Sequence, residues 1–242
     1  MRLDVYLCDS GLSSSRTEAK ELILGGMVTV NGSVAKKPSL SVACADEIKI
    51  IGELRKYVSR GGLKLEGAID FFGLSVEGAL ALDVGASSGG FTDCLLKHGA
   101  AHVIAADSGS GQLVESLRRD SRVTVIENYN ARAMRPADLE YRPSLAVMDV
   151  SFISSTLIIP AVYNCLAEGG EFILLVKPQF EVGRSGVGKG GIVKDEKLRK
   201  KALADVISFA SSCGFSVIGS TTSPIEGGDG NIEYLVRFRK ER

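Results

Sequence analysis

The run Ala81-Leu82-Asp83-Val84-Gly85-Ala86-Ser87-Ser88-Gly89-Gly90-Phe91-Thr92 reads as a strand that turns sharply into a helix. Its apolar residues end on Gly85, which allows a tight turn, and Gly89 and Gly90 let the backbone approach a ligand. A strand, a glycine turn and a helix in that order open a parallel sheet. Ligands bind beyond the carboxyl ends of such strands, near the first one. Dinucleotide binders prefer G-x-G-x-x-G. Here Ser87 stands in place of the second glycine, and the spacing is G-x-x-x-G-G. That pattern disfavours a pyrophosphate, and with it an NAD-dependent enzyme, and fits a ligand without phosphates. Asp83, Gly85, Ala86, Ser87, Ser88, Gly89, Gly90 and Phe91 are the candidate cofactor-binding residues of this loop.

Downstream, strand and helix alternate. Strand patterns fall at about 79–85, 102–107, 123–128, 144–150, 171–177, 215–222 and 232–238, and helices at about 62–72, 90–98, 111–119, 155–167 and 195–213. Such alternation predicts an α/β domain with a parallel sheet covered on both faces. The last two strands follow one another without a helix, so the final one is expected to be antiparallel. This seven-stranded mixed plan resembles that of Rossmann-like methyltransferases. Asp107 closes the second strand, where a carboxylate accepts hydrogen bonds from ribose hydroxyls of an adenosine cofactor or of NAD. Asn128 or Asn130, after the third strand, is the candidate adenine contact.

Four polar residues fall where these strands predict a shared cleft. Lys64 lies in Ser59-Arg60-Gly61-Gly62-Leu63-Lys64-Leu65, before the first strand. Asp149 ends the fourth strand, Lys177 ends the fifth, and Glu233 opens the last. Taken singly, each reads as a surface charge or a turn residue. Together they suit methylation of a ribose 2′-hydroxyl, whose oxygen must lose a proton while attacking a sulfonium methyl in line. A free lysine is protonated at neutral pH; burial and a second cation make it a better base, and carboxylates hold it in place. Lys177 is the candidate base, Lys64 the charge that steadies the oxyanion, and Asp149 and Glu233 orient the two lysines. Aligning oxygen, methyl and sulfur supplies much of the rate gain.

Residues 1–50 follow a different plan. Leu3, Val5, Tyr6 and Leu7 open a short helix, with Asp4 expected as its cap, and Gly11 ends it. Ser13, Ser14 and Ser15 offer caps for a second helix with Ala19, Leu22 and Ile23 on its apolar face. Met27-Val28-Thr29-Val30 reads as a strand, Asn31-Gly32 as a hairpin turn and Asp46-Glu47-Ile48-Lys49-Ile50 as another strand. On Arg2-Leu3-Asp4, Ser15-Arg16, Ala19, Gly26, Val28, Val30-Asn31-Gly32, Lys37-Pro38 and Asp46, this unit resembles the S4 domain, a small α+β RNA-binding module. The resemblance implies a face that touches RNA phosphates through Arg2, Arg16, Lys20, Lys36 and Lys37. Phosphate contacts of that kind position a protein without reading sequence. Residues 51–60 are expected to be a linker, and 61–242 the second domain.

That second domain resembles the FtsJ-type ribose 2′-O-methyltransferases, whose Lys-Asp-Lys-Glu tetrad falls on Lys64, Asp149, Lys177 and Glu233. The whole chain is similar to the TlyA family, which joins an S4 domain to this methyltransferase. The similarity is carried by Tyr57-Val58-Ser59-Arg60-Gly61-Gly62, Asp149-Val150-Ser151-Phe152-Ile153-Ser154, Val176-Lys177-Pro178-Gln179-Phe180-Glu181 and Gly190-Gly191-Ile192-Val193. It implies a Rossmann-like fold, S-adenosylmethionine as cofactor, and ribosomal RNA or ribosomal subunits as partner, methylated at a cytidine ribose. Arg60, Arg184 and Lys189 join the RNA-binding candidates. Arg184, Lys189, Lys194, Lys197, Arg199, Lys200 and Lys201 face only Glu181, Asp195 and Glu196, and the glycines between them would let this stretch order on RNA as one wall of a channel.

The bulk numbers are compatible with this. The 242 residues carry zero formal net charge, 45% hydrophobic and 24% charged residues, so a nucleic-acid role rests on where the charges lie. No apolar run reaches the roughly 18 to 20 residues of a membrane span, and the start lacks a signal-peptide pattern; the cytoplasm is the expected location. Cys8, Cys44, Cys94, Cys165 and Cys213 are scattered without a C-x-x-C pair, and His98 and His102 flank a glycine at a helix end. Neither pattern signals a metal. Two rival readings remain: a membrane-active hemolysin, a label TlyA relatives have carried, and a non-catalytic RNA-binding assembly factor.

Overall fold

The computed structural model describes the chain except residues 14, 44, 52–55, 184–185, 229 and 242, together with the Glu21 side chain. Ser14, Cys44, Arg184 and part of the expected linker therefore lie outside the described residues. The chain divides into two compact units, Met1–Leu54 and Arg55–Arg242.

In the first unit, α1 (Leu3–Asp9) and α2 (Arg16–Leu24) pack on a three-stranded antiparallel sheet of order β2-β1-β3, with β1 at Val28–Val30, β2 at Ser33–Val34 and β3 at Ile48–Ile50. Leu3, Leu7, Ala19, Leu22, Ile23 and Val28 form the core. Asn31 and Gly32 have φ of 51° and 79°, the left-handed pair that a two-residue hairpin turn demands. Two expectations are corrected. Asp4 does not cap α1: Arg2 holds that position, and Asp4 is buried in the first turn. Asp46 does not open a strand either. Its carboxylate accepts from Asn31 Nδ2 at 2.9 Å and from the Ala43 N–H at 2.8 Å, bracing the turn before β3.

The second unit is an α/β domain built on a seven-stranded mixed sheet of order β6-β5-β4-β7-β8-β10-β9. Its strands are β4 (Leu80–Val84), β5 (His102–Ala106), β6 (Val123–Ile126), β7 (Leu145–Met148), β8 (Glu171–Val176), β9 (Phe215–Thr222) and β10 (Tyr234–Lys240). The first five pair in parallel, and β10 runs antiparallel to both β8 and β9, as the missing helix implied. The central strands are apolar on both sides because helices cover both faces. On β8, Phe172, Leu174 and Val176 enter the core under α6 (Ile159–Cys165) and α8 (Glu196–Ser212). Ile173 and Leu175 enter the opposite core under α3 (Gly61–Phe72) and α4 (Gly90–Lys97). Lys240, at the end of β10, donates at 3.1 Å to the carbonyls of Tyr163 and Leu166, two acceptors left open where α6 ends.

Two expected helices are shorter than their patterns. Val114 has extended backbone, so α5 spans only Glu115–Arg118. The helix expected over 155–167 splits into a 3-10 turn, Ser155–Leu157, and α6. Pro160 explains the restart: it lacks the N–H that would continue the ladder, but fits a first turn. A further short helix, α7 (Pro178–Glu181), starts directly after β8. His98 caps the end of α4 and His102 opens β5. Among the described residues no helix is long and apolar enough to cross a membrane.

Candidate active site

The glycine turn after β4 is shaped by its neighbours. Gly85 has φ +85°, and a Cβ there would lie 2.3 Å from the Asp149 carbonyl oxygen. Gly85 thus lets the end of β4 lie against the end of β7, where the Asp149 N–H bonds to Val84 O at 3.0 Å. Gly89 and Gly90 are the glycines expected to let the backbone approach a ligand. What a Cβ would meet there is protein: Leu117 at 2.3 Å from Gly89 and Ser59 Oγ at 2.2 Å from Gly90. Ser87 adopts φ 48°, the left-handed conformation that glycine favours. A serine here keeps the turn and adds a hydroxyl, which bonds Gln112 Oε1 at 3.2 Å.

Asp107 follows β5 and fixes this turn. Its Oδ2 accepts from the Ser87 N–H at 2.8 Å and its Oδ1 from the Gly109 N–H at 2.7 Å. Each oxygen keeps a lone pair for a ligand. Asp83, by contrast, is wholly buried beneath the loop, with Oδ2 bonded by Thr92 Oγ1 at 2.7 Å and Oδ1 without a partner. Burial pushes its carboxyl up to about 7; the Thr92 bond opposes this and the charge of Asp149 adds to it.

Three adjoining cavities meet at the carboxyl edge of the sheet. One, of about 270 Å³, lies between the Gly85–Gly90 turn and the start of α3, and is lined by Ser59, Arg60, Gly61, Lys64, Asp149 and Lys177 among others. A second, of about 360 Å³, runs over the ends of β5 and β7 past Asp107, Gln112, Tyr129 and Asn130. Asn130 lines it; Asn128 does not, and sits in a turn at φ 54° with its N–H on Gly109 O. The third, of about 280 Å³, opens on the other side of the lysines. Ser151 lines all three.

The four tetrad positions come together here as two ion pairs. Lys64 Nζ lies 2.6 Å from Glu233 Oε2, and both are buried. Lys177 Nζ lies 2.5 Å from Asp149 Oδ1 and donates to Ser151 Oγ at 2.8 Å. The backbone explains the placement. Tyr234 pairs with Val176 across β10 and β8, so Glu233 and Lys177 extend from adjacent strands at one edge. Parallel pairing of Val84 with Met148 brings Asp149 level with Gly85.

The other candidates are dispersed. Arg60 lines the first cavity and donates to Glu226 O at 2.9 Å. In the first unit Lys20, Lys36 and Lys37 are exposed, and Arg2 and Arg16 both reach the buried Asp4, at 2.9 and 3.4 Å. Those guanidiniums, Arg2 first, hold the Asp4 carboxyl at about 2. Lys189 is exposed on a 3-10 turn, Lys189–Gly191. In the basic stretch Lys200 pairs with Glu196, Lys201 with Asp205, and Arg199 with backbone carbonyls. Its glycines suggested freedom to move, but the buried Asn231 pins its middle, accepting from Val193 N–H at 3.0 Å and donating to Gly191 O at 2.9 Å. Sequence reasoning did not assign roles to Asn231, Ser151, Gln112, Glu226 or Gly228. They are common polar or glycine residues whose place depends on contacts from distant elements, although Ser151 lies within a motif already quoted.

A seven-stranded mixed sheet with one reversed strand, a glycine turn after its first strand and an acid after its second is the α/β methyltransferase fold. The family of FtsJ-like methyltransferases matches residues 57–240, and the S4 domain matches residues 1–48. The chain belongs to the TlyA (hemolysin A) family, in which these two domains are joined. It is 47% identical to "Hemolysin A" of Brachyspira hyodysenteriae over 98% of this chain and 99% of that one. It is 44% identical to the "16S/23S rRNA (cytidine-2'-O)-methyltransferase TlyA" of Mycobacterium tuberculosis (strain CDC 1551 / Oshkosh), over 99% of this chain and 90% of that one. A solved hemolysin-family structure from Streptococcus thermophilus superposes with a TM-score of 0.79 at 47% identity, covering 100% of this chain and 88% of that one.

Proposed function

We propose that this protein methylates the 2′-hydroxyl of a cytidine ribose in ribosomal RNA, with S-adenosylmethionine as methyl donor. The observation that carries the reading is the pairing of Lys64 with Glu233 and of Lys177 with Asp149 around one point where three cavities meet. The first two cavities are joined through Gly85, Ser87, Asp149 and Ser151. Together they suit a long ligand with a nucleoside at the Asp107 end and an amino acid at the Gly85–Gly90 end. Asp107 has lone pairs left for a ribose diol, and Asn130 lines the same cavity, where it would meet a base. When bound, the cofactor supplies an electrophilic methyl on a positively charged sulfur.

The chain's own residues then have distinct tasks. Lys177, once it has released its own proton to solvent, takes up the proton of the attacking 2′-hydroxyl, with Asp149 and Ser151 fixing the position of its Nζ. Lys64 holds positive charge beside the developing oxyanion, and Glu233 keeps it there. A buried donor held in place before the reaction stabilises such charge without reorganisation. Residues 1–50 are read as the S4 RNA-binding domain, 51–60 as a linker segment whose Tyr57 already packs in the core of the second unit, and 61–242 as the catalytic domain. Arg2, Arg16, Lys20, Lys36, Lys37, Arg60, Arg184 and Lys189 are the proposed RNA contacts.

The test is transfer of labelled methyl to ribosomal subunits, followed by mapping of the modified ribose. Lys177→Ala abolishes transfer while leaving cofactor binding intact. Undiminished transfer by that variant would refute the assigned base.

A further inference from the structure

Beyond the sheet, the segments that carry Asp149 and Lys177 are joined by side chains and not by a ladder. Pairing of β7 with β8 ends at Met148 and Leu174. Among the described residues, the backbone of residues 150–153 makes no hydrogen bond. Phe152, in the middle of that stretch, has φ 65°, a costly conformation that persists only where the surroundings hold it. The Ser151 hydroxyl that meets the Lys177 Nζ at 2.8 Å is therefore carried by a loop with no backbone support of its own.

Glu181 supplies the support from the other segment. Lys177 is the N-cap of α7 and Glu181 its last residue, so one helical turn separates them. Glu181 Oε2 accepts from Ser154 Oγ at 2.5 Å, and its Oε1 accepts from the Ser155 N–H and Ser155 Oγ at 2.8 Å each. Bonds to an ionised acceptor are the strong ones. The loop is thus fastened to the α7 segment twice, by Lys177 at Asp149 and Ser151 and by Glu181 at Ser154 and Ser155. Between the two fastenings the rings of Phe152 and Phe180 meet with centroids 5.3 Å apart. Glu181 itself lines none of the three cavities, so any effect on the reaction must pass through its neighbours.

We propose that Glu181 is a positioning residue for methyl transfer: by fastening Ser154 and Ser155 to α7, it holds the loop so that the Ser151 hydroxyl stays on the Lys177 Nζ. The proposal rests on the reading of the protein as a ribose methyltransferase. Without Glu181, the strained backbone at Phe152 is free to relax, and the hydroxyl one residue earlier moves with it. Lys177 then keeps only its ion pair, which fixes a distance but leaves the Nζ free to swing about Asp149. Small displacements of a reacting group cost large factors in rate.

The experiment measures kcat on ribosomal subunits, at saturating RNA and S-adenosylmethionine, for the full-length protein and for Glu181→Met, Glu181→Gln, Ser151→Ala and the Glu181→Met/Ser151→Ala pair. Glu181→Met removes every fastening to the serines, and kcat falls roughly ten- to a hundredfold. Glu181→Gln restores most of it: the amide oxygen still accepts from Ser155, and the amide nitrogen donates to the Ser154 hydroxyl, which can also accept. In the Ser151→Ala background Glu181→Met costs little more, because its route to Lys177 is already cut. Losses that multiply, or a wild-type kcat in Glu181→Met, would overturn the role of Glu181 while leaving the methyltransferase reading intact. A lowered melting temperature with unchanged kcat would assign the carboxylate to stability alone. If Glu181→Met does not fold, Ser154→Ala takes its place in the same cycle, removing one fastening while the buried Ser155 keeps its partner, and the same two outcomes decide. Wild-type protein that methylates no RNA would overturn both readings.

Discussion

Glu233 lies one residue before the Tyr234–Val176 pair of β10 and β8, beside Lys177, yet its carboxylate goes to Lys64 on α3, 2.6 Å away. The sheet brings Glu233 to the edge, and the helix brings a cation to it from 169 residues away in sequence. Each lysine thus has its own acid: Glu233 for Lys64 and Asp149 for Lys177.

This pairing predicts an asymmetry between single and double replacements. Glu233→Leu leaves the Lys64 ammonium buried and unpaired, which destabilises by about 3–5 kcal/mol. Lys64→Met in the same chain removes the orphaned charge and recovers most of that loss, because a buried ion pair exchanged for apolar groups is often neutral. Methyl transfer stays absent in both. Denaturant unfolding of the two variants, beside a transfer assay, checks this; a double variant as unstable as the single one would contradict the pairing.

Ser151 should matter through Lys177. Its hydroxyl accepts from the Lys177 Nζ at 2.8 Å, and a hydrogen bond to a charged group is worth about 1.5–3 kcal/mol. Ser151→Ala is expected to lower kcat roughly tenfold or more. The Kd for S-adenosylmethionine changes little, because the backbone facing the cavities is kept. Equal kcat in the variant and the wild type would show that Asp149 alone positions the lysine.

Local changes along the chain mark some parts of the site, and long-range packing makes the rest. Gly85, Asp107 and the strand-end charges Asp149 and Lys177 were legible because strand ends are marked by a local change from apolar to polar. The reversed last strand was legible from the missing helix between β9 and β10. The pairing of Lys64 with Glu233 was not, since it depends on how α3 packs on β10. Ser87 was legible as a departure from a glycine pattern, but not as a residue that keeps the left-handed turn at φ 48°. Asp4 was misplaced as a cap because an acid at a helix start fits both a cap and a buried partner for arginines. Only the position of Arg16, from the next helix, separates the two.

Arg16 offers a test of RNA binding by the first unit. Its guanidinium is half-exposed and is steered by the buried Asp4. If Arg16 contacts a phosphate, Arg16→Ala weakens RNA binding similarly across sequences and reduces the slope of log K against log salt by about one. Asp4→Asn releases both Arg2 and Arg16 and weakens binding in the same uniform way, with cofactor binding in the second unit unchanged. Filter-binding titrations at several salt concentrations read this out, and an unaltered slope for Arg16→Ala would remove that residue from the interface.

Asp83 predicts an opposite pH dependence from that of the paired acids. Its carboxyl is pushed up to about 7, first by burial, from an unfolded value of about 4. Between those values the folded state holds a proton that the unfolded state has released. Stability contributed by this group therefore falls as pH rises through that window, by on the order of 1.4 kcal/mol for each pH unit crossed. Asp4 runs the other way: held at about 2, it loses its contribution only as pH falls from about 4. Asp83→Asn keeps a carbonyl oxygen for the Thr92 hydroxyl and carries no charge at any pH. The variant is expected to melt higher than wild type at pH 8 and nearly equally at pH 4. Melting curves of the cofactor-free protein across that range decide it, and a variant that is less stable at pH 8 would mean that the ionised carboxylate has a partner beneath the loop.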